Sequence, residues 1–387
     1  MKKGIWKQTI GILVLFFIIV GCSSTSGAPK STQAQFSDDI SGGAANVGAV
    51  VGELSDDPAM KALGFLGDHT PALGSTASGV AMLAADSLGL QSLFAQSLAP
   101  QSLFGLSGQI GALVVMNELP KGHWTYNSST NNWDQDAAYS GDDMVFDWVF
   151  LDSQNHSRSA NLTVDWNYGG VSTVTVMGRD LANYEAPEDM MITLKVDGNE
   201  VGHLRGQFAW YDNGHGKIAD PSSIQISGRF GGNDYLSFDI SLSSSNSTVN
   251  TTGDIKAVAG SDNAEIKWTV SANGSMQRDS NGFSTGFDAS SGNINVQTSS
   301  TASGQSDSFE FNAAFSNLVT NPSGPGSVDL NNGYIKVDGQ TAVTFQGTLD
   351  DSNQNCVLGE NLTLTFSDGA MSLEQYLLNR GVHAGCH

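Results

Sequence analysis

From about Lys121 to Asp368, apolar and polar residues alternate along the chain at a period of two. The clearest runs are Leu162–Trp166, Ile192–Val196, Leu236–Leu242, Ile266–Val270, Phe309–Phe315, Val343–Leu349 and Leu362–Phe366. This period predicts β-strands that turn one apolar face toward a core and one polar face toward water. We therefore expect roughly a dozen strands in this part of the chain.

Turn-forming residues separate several of these runs. They occur at Asp197-Gly198, Asp212-Asn213-Gly214, Asn332-Gly333 and Asp338-Gly339. Such short connections join antiparallel neighbours, so the sequence predicts a large antiparallel meander. A weak repeat, Gly-Asp-Ile-Lys at 253–256, returns in altered form at 292–295 and 333–336. We interpret it as a glycine that precedes the start of a strand.

Residues 56–120 have a different pattern and are predicted to form a helical segment. Asp56-Asp57-Pro58 is a typical helix opening, and Met60, Leu63 and Leu66 follow at helical spacing. Residues 87–117 contain no charged side chain. Two interpretations stay open: buried helices packed on the sheet, or a helical lid that shields a hydrophobic cavity. Near the end, Ser372–Arg380 predicts a short helix with Ser372 as its N-cap.

The fold class that follows is mainly β. The apolar faces of so many strands need a cover, so the meander is expected to form a curved sheet, a half-barrel or a barrel. The N-terminal helical segment would pack on or in it, and residues 121–387 would form one β-domain that ends in the short helix. This architecture resembles the half-barrel with a helical lid of periplasmic lipoprotein carriers, although no residue motif links the two.

The first 22 residues have the layout of a secretory signal. A basic start with Lys2, Lys3 and Lys7 precedes an apolar run from Ile10 to Gly21, which is too short for a spanning helix. The residues Ile19-Val20-Gly21-Cys22 resemble the lipobox of bacterial lipoproteins. That resemblance implies cleavage of residues 1–21 and a diacylglycerol on the thiol of Cys22.

The resemblance also sets the expected location and the domain plan. Residues 22–55 show no period and are predicted to be a flexible tether between the lipid and the body. Ser23 and Ser24, rather than an acid, follow the lipidated cysteine. By analogy with enteric bacteria, the protein is expected in the cell envelope on the outer membrane, at its periplasmic or surface face.

Two further cysteines remain, Cys356 and Cys386. An exported chain meets conditions that permit disulfides, so these two are predicted to form one bridge. The bridge would close a loop of about 30 residues, for which the chain-entropy model gives about 3–4 kcal/mol.

The charge balance restricts the class of partner. The chain has 17 basic and 39 acidic residues and a net charge of −22, although only 14% of its residues are charged. This balance argues against nucleic acid and against electrostatic attraction to an anionic membrane. We therefore expect the protein to contact its membrane through the N-terminal lipid.

The motifs of enzymes and metal sites are weak. Gly282-Phe283-Ser284-Thr285-Gly286 has the letters of a hydrolase nucleophile elbow, but its neighbours predict a strand after it where the elbow needs a helix. Asp351, Asn353 and Asn355 begin like a calcium loop, but Cys356 stands where that loop has glycine. A solvated acidic loop is the favoured interpretation of Asp134–Asp143, with calcium binding as the alternative. We predict no catalytic residue, no metal and no cofactor.

Aromatic residues are concentrated between 124 and 168. Tryptophan on a β surface can stack on sugar rings, so Trp124, Tyr126 and Trp133 are candidate ligand-binding residues. Core positions are the favoured interpretation for Trp148 and Trp166, which lie on alternating runs. The sequence thus predicts a non-enzymatic, lipid-anchored envelope protein that binds a hydrophobic ligand or an envelope partner. The alternative is a surface structural or adhesive lipoprotein that binds glycans through exposed Trp and Tyr.

Overall fold

The computed structural model describes residues 32–36, 49–50, 52–69, 121–176, 184–319, 327–350, 357 and 359–379. Within them the chain forms one sheet of sixteen strands, together with the helices α1 (Pro58–Asp68) and α2 (Leu373–Asn379). The mainly β fold with a short C-terminal helix, predicted from the alternating pattern, is confirmed.

The strands are long where the alternation is clearest. Their bounds are β1 Gly122–Asn127, β2 Asn132–Gln135, β3 Met144–Leu151, β4 Ser157–Val174, β5 Tyr184–Val196, β6 Asn199–Asp212, β7 Lys217–Gly231, β8 Tyr235–Ser244, β9 Thr248–Ala259, β10 Asp262–Arg278, β11 Ser284–Ala302, β12 Gln305–Val319, β13 Ser327–Val337, β14 Gln340–Leu349, β15 Leu362–Phe366 and β16 Gly369–Ser372.

From β3 to β16, each strand pairs antiparallel with the next one along the chain, as a meander requires. The start of the sheet differs, because β1 lies between β2 and β3 and runs parallel to β3. The strands β2 and β16 are the two edges, so the sheet is open. Of the predicted alternatives, closure into a barrel is therefore the one that this strand order contradicts.

Alternate residues of the strands bury their side chains on one face, which we call the inner face. A single cluster of buried apolar residues extends from α1 across the strands to α2. The predicted core positions of Trp148 and Trp166 are confirmed, because these side chains are 2% and 0% exposed. The opposite, outer face carries mainly small polar and charged side chains.

Five glycines of the inner face lie directly opposite an aromatic residue of the next strand. The pairs are Gly202–Phe230, Gly228–Phe238, Gly253–Trp268, Gly292–Phe315 and Gly333–Phe345. In each pair, a Cβ atom on the glycine would lie less than 3.0 Å from the ring. The weak repeat thus places its glycines inside β9, β11 and β13, and the prediction that they precede strand starts is wrong. The reason is packing: each ring occupies the space that a side chain would fill.

Most of the predicted turns are confirmed. Asp197-Gly198 joins β5 to β6 and Asp338-Gly339 joins β13 to β14, with positive φ at both residues of each turn. Asn332-Gly333 was also predicted to be a turn, and this is wrong. It forms a bulge within β13, where the register with β14 shifts between Leu330 and Gly333. The strand continues through the bulge because β13 pairs with β12 and β14 on both sides of it, and the ring of Phe345 lies against Gly333.

Helices α1 and α2 begin at the predicted caps. The side chain of Asp57 accepts a hydrogen bond from the backbone N–H of Ala59 at 2.7 Å, and Pro58 is the first residue of α1. The hydroxyl of Ser372 accepts from the N–H of Gln375 at 3.0 Å at the start of α2. Helix α1 packs against β3, β5 and β7, and the predicted helical residues 70–120 lie outside the described residues.

Part of the predicted tether is folded against the sheet. A helical turn at 33–36 buries Phe36 completely, with its ring 5.9 Å from that of Phe366 and 6.2 Å from that of Tyr376. Val50 and Leu54 are also buried. These three side chains therefore belong to the core, and the predicted division with a tether at 22–55 stays a prediction. Among the described residues, no helix is long and apolar enough to cross a membrane.

Candidate functional site

The outer face carries a concave site, which we call the outer groove. Its volume is about 270 Å³, and it opens on the polar side of β10 to β13. It is lined by Glu265, Lys267, Gln297, Thr298, Ser299, Ser308, Phe309, Glu310, Lys336 and Gly339. The groove therefore combines two lysines, two glutamates and several uncharged hydrogen-bonding groups.

Strand period and register place these side chains together. Residues two apart on one strand share a face, so Glu265 accompanies Lys267 on β10. Across the strands, Lys267 lies opposite Gln297, Gln297 opposite Glu310, and Glu310 opposite Lys336. Three strand spacings of about 4.8 Å separate the backbones of the two lysines by about 14 Å.

One end of the groove is an ion pair on β10. The ammonium of Lys267 lies 2.9 Å from a carboxylate oxygen of Glu265 and 3.5 Å from one of Asp254 on β9. The hydrogen bond to Glu265 is the main reason that the pKa of Lys267 is raised. Lys267 consequently stays protonated near neutral pH and can donate to a ligand.

The other end is a network around Glu310. This carboxylate accepts hydrogen bonds from the ammonium of Lys336 and the hydroxyl of Tyr334, each at 2.9 Å, and from the amide of Asn295 at 3.4 Å. Burial alone would raise the pKa of Glu310, but these bonds outweigh it and the pKa is lowered. The pKa of Lys336 is raised, mainly by its bond to Glu310. Both groups are thus charged at neutral pH.

A second polar cluster lies on the outer face of β4 to β6. The guanidinium of Arg205 donates to Asp189 in a bidentate pair, with Nε 2.9 Å from Oδ1. The ring of Tyr168, 52% exposed, lies 5.5 Å from the guanidinium carbon. A bulge brings Gly169 against Asp189, leaving no room for a Cβ atom. Tyr168 is thus an aromatic ring with a face toward solvent beside a fixed ion pair.

The three predicted ligand-binding aromatics occupy a different place. Trp124 and Trp133 are 6% and 9% exposed, and the indole N–H of Trp133 donates to the carbonyl of His69 at 2.6 Å. Tyr126 is half-buried, with its ring edge-on to Trp133 at 5.5 Å. The two indoles do not form the exposed stacking surface that the glycan alternative requires, because both belong to the buried cluster, where Trp124 stacks on Phe146 at 5.3 Å.

Residues of the nucleophile-elbow motif lie in a hydrogen-bond network that joins several strands. Ser284 is the first residue of β11, and its hydroxyl donates to Asp220 at 2.8 Å. The same carboxylate accepts from Arg278 at 2.7 Å, and Arg278 also donates to the carbonyl of Gly282. A strand follows Ser284 where an elbow needs a helix, so this segment does not have the geometry of a nucleophile elbow.

The remaining candidates give no metal centre in the described part of the chain. Within it, no three His, Cys, Asp or Glu side chains are grouped to hold a metal ion. In the acidic loop, Asp134 accepts a hydrogen bond from Asn127, and burial raises the pKa of Asp143. The calcium-like residues 351–355 and the cysteines Cys22, Cys356 and Cys386 lie outside the described residues, so the predicted lipidation and disulfide stay predictions.

Comparison with known proteins adds no further constraint: no protein-family model, curated protein or solved structure matches the chain. The functional argument therefore depends on the geometry and chemistry of the outer face.

Proposed function

We propose that this chain is a lipid-anchored, non-enzymatic binding protein of the cell envelope, and that the outer groove is its ligand site. The observation that carries the proposal is the groove itself, a concavity of about 270 Å³ in which charged and uncharged polar groups converge. Small-molecule sites are usually concave and add a few convergent polar groups to an apolar lining. This groove has the concavity and the convergent polar groups, with Phe309 as the one large apolar residue among those that line it.

The protonation states of the groove support binding rather than acid–base catalysis. A general acid or base works best when its pKa lies near the working pH. Here the pKa of Glu310 is lowered, by hydrogen bonds that outweigh its burial, and the pKa values of Lys267 and Lys336 are raised, mainly by their bonds to glutamates. The pKa values of all three groups thus move away from neutral pH, so the groups carry fixed charges. Fixed charges are suited to holding a ligand.

The anchor rests on the N-terminal sequence, in which Gly21-Cys22 follows an apolar run. The diacylglycerol on Cys22 would be the contact with the membrane, with the outer membrane as the favoured location. Metabolic palmitate labelling of the wild type and of Cys22→Ser tests this part. Label on the wild type alone is expected, and equal labelling of both, or none of either, would contradict the anchor.

Ligand-observed NMR with a library of neutral and charged polar small molecules tests the groove. The wild type is compared with Ser308→Tyr, which would fill the groove from β12, and with Ser243→Tyr, an exposed outer-face position on β8. We expect binding signals that Ser308→Tyr alone removes. Signals that survive Ser308→Tyr, or no signal for any compound, would overturn the groove as the ligand site.

An envelope protein partner is a second candidate, favoured by an exposed apolar pair on β3. Val149 and Leu151 are 58% and 60% exposed, and they follow Asp147, the last residue of β3 that pairs with β1. A photo-crosslinking residue at position 151 is expected to trap a partner in cells. The same residue at exposed Asp239 is the control, and equal crosslinking at both positions would argue against this surface.

A hydrophobic ligand inside the sheet stays a prediction. Most apolar side chains of the inner face are buried and the others pack against them, so such a ligand would compete with existing packing. Native mass spectrometry of protein extracted from its own membrane tests the idea. An apolar molecule that co-purifies would support it, and its absence would leave the polar ligand as the better proposal.

A further inference from the structure

The lysines and glutamates that line the outer groove form two ion pairs, and Asp254 adds one further negative charge next to Lys267. Lys267 is paired with Glu265 and Lys336 with Glu310, each pair at 2.9 Å. A charged ligand would have to displace one member of an existing ion pair, whereas a neutral ligand can bond to both members at once. The net charge of −22 adds a general repulsion of anions. The groove is therefore suited to a neutral ligand.

The groups in the groove are best satisfied by a ligand that carries hydrogen-bond donors and acceptors close to one another. An ammonium has only donors and a carboxylate only acceptors, while the amide of Gln297 and the hydroxyls of Ser299 and Ser308 offer both. Neighbouring hydroxyls on a sugar ring meet this demand, since one can accept from lysine while the next donates to glutamate. Apolar ligands would displace water from these groups without replacing its hydrogen bonds, which is costly.

The size and surroundings of the groove set the length of the ligand. Pockets that enclose drug-sized molecules measure roughly 300–1,000 Å³, so about 270 Å³ suits one or two sugar rings. Beside the groove, the outer-face residues Thr269, Asn295 and Asn312 lie opposite one another on β10, β11 and β12. This polar row lets a longer chain continue across the strands.

We infer that the outer groove binds a neutral saccharide, held between the Lys267–Glu265 and Lys336–Glu310 pairs, as part of a glycan that crosses the strands. This inference rests on the proposed function and names the ligand class of the same site. It differs from the glycan alternative drawn from the sequence, because the buried Trp124 and Trp133 play no part in it.

Isothermal titration of the purified mature protein with glucose, maltohexaose, cellohexaose and tetragalacturonate tests the inference. At least one neutral hexasaccharide is expected to bind, more tightly than glucose, while the anionic tetragalacturonate does not. Ser308→Tyr is expected to abolish this binding, and the matched outer-face variant Ser243→Tyr is expected to keep it. Gln297→Ala, which removes one pair of hydrogen-bonding atoms, should weaken it roughly three- to tenfold, with Gln225→Ala on β7 as its control.

The outcomes separate this inference from the function on which it rests. If the neutral oligosaccharides fail to bind while another polar molecule binds in a manner sensitive to Ser308→Tyr, the saccharide is wrong and the groove stands. Hexasaccharide binding that Ser308→Tyr leaves unchanged places the sugar elsewhere and overturns the inference. If neither these sugars nor any polar compound binds, both proposals fail. Thermal unfolding of each variant checks that a lost signal reflects the groove rather than the fold.

Discussion

Gly292 of β11 lies directly opposite Phe315 of β12, and the aromatic ring occupies the space that a side chain on Gly292 would need. The same relationship recurs at four other places along the inner face. Because glycine has no side chain, the aromatic ring of the neighbouring strand can pack directly against its backbone. The glycine is therefore part of the core packing. These pairs give the glycine-rich strands a structural explanation that composition alone does not suggest.

The first prediction is that Gly292→Ala destabilises the fold by about 1–3 kcal/mol, the usual cost of overpacking a filled core. Its added methyl would lie less than 3.0 Å from both the ring of Phe315 and the backbone oxygen of Ser271. Gly286→Ala is the control in the same strand, because no atom lies within 4 Å of that position. It should be neutral or stabilising by up to about 1 kcal/mol. Urea unfolding measures both, and equal effects would contradict the packing argument.

The second prediction concerns the folded part of the N-terminal segment. Phe36→Ala should cost about 3–5 kcal/mol, because a fully buried aromatic leaves a cavity beside Phe366 and Tyr376. Ala34→Ser, an exposed neighbour in the same turn, should change stability by less than about 0.5 kcal/mol. An unfolding midpoint of Phe36→Ala that matches the wild type would mean that the segment is a free tether after all.

The third prediction concerns the Asp220–Arg278 pair, whose side chains are 14% and 16% exposed. Asp220→Ala should cost about 3 kcal/mol, since it removes the carboxylate that balances the Arg278 charge and accepts from the hydroxyl of Ser284. Breaking the exposed Lys121–Asp142 pair with Asp142→Ala should cost less than about 1 kcal/mol. Chemical denaturation at neutral pH compares them, and similar losses would show that the buried pair contributes no more than a surface pair.

The fourth prediction is a pH dependence at the groove. The pKa of Glu310 is lowered in the folded chain, because hydrogen bonds from Lys336, Tyr334 and Asn295 outweigh its burial. A lowered pKa adds stability above the ordinary glutamate value of about 4.3, and this stability is lost as the pH falls through the folded value. Glu310→Gln should therefore be less stable than the wild type at pH 7.

At lower pH this difference should shrink, because the wild-type carboxylate becomes protonated and resembles the amide. Urea midpoints at pH 7, 5 and 3 measure it, with Gln297→Ala as a groove variant that carries no titrating group. A difference between Glu310→Gln and the wild type that stays constant down to pH 3 would contradict the assigned network.

The strands could be predicted because each buries one face, which imposes a period of two on residues such as Phe309, Phe311 and Phe315. The helix caps at Asp57 and Ser372 could also be predicted from the sequence, since capping depends on residues within the first turn of the helix. The bulge at Asn332-Gly333 could not, because it is defined by the pairing of β13 with other strands, and the ring that packs on Gly333 comes from Phe345 of β14. Features set by residues close in sequence could thus be predicted. Features set by a residue on a neighbouring strand could not.

The outer groove was missed for the same physical reason. Glu265, Lys267, Glu310 and Lys336 look like scattered charges along the sequence, and only the register of four strands brings them together. The sequence showed that aromatic residues are concentrated between 124 and 168, but it did not show which of them are exposed. Tyr168, which is exposed beside Arg205, stood in the same cluster with no local feature that separated it from the buried tryptophans.

The central claim is that ligand meets the outer face rather than the inner one, and fluorine NMR of protein labelled with 3-fluorotyrosine tests it most directly. Tyr334 bonds to Glu310 at the groove, whereas Tyr376 is buried against Phe36 on the inner side. With resonances assigned by Tyr→Phe variants, titration with maltohexaose or cellohexaose should shift the Tyr334 signal and leave that of Tyr376 unchanged. A shift at Tyr376 with none at Tyr334 would contradict the account.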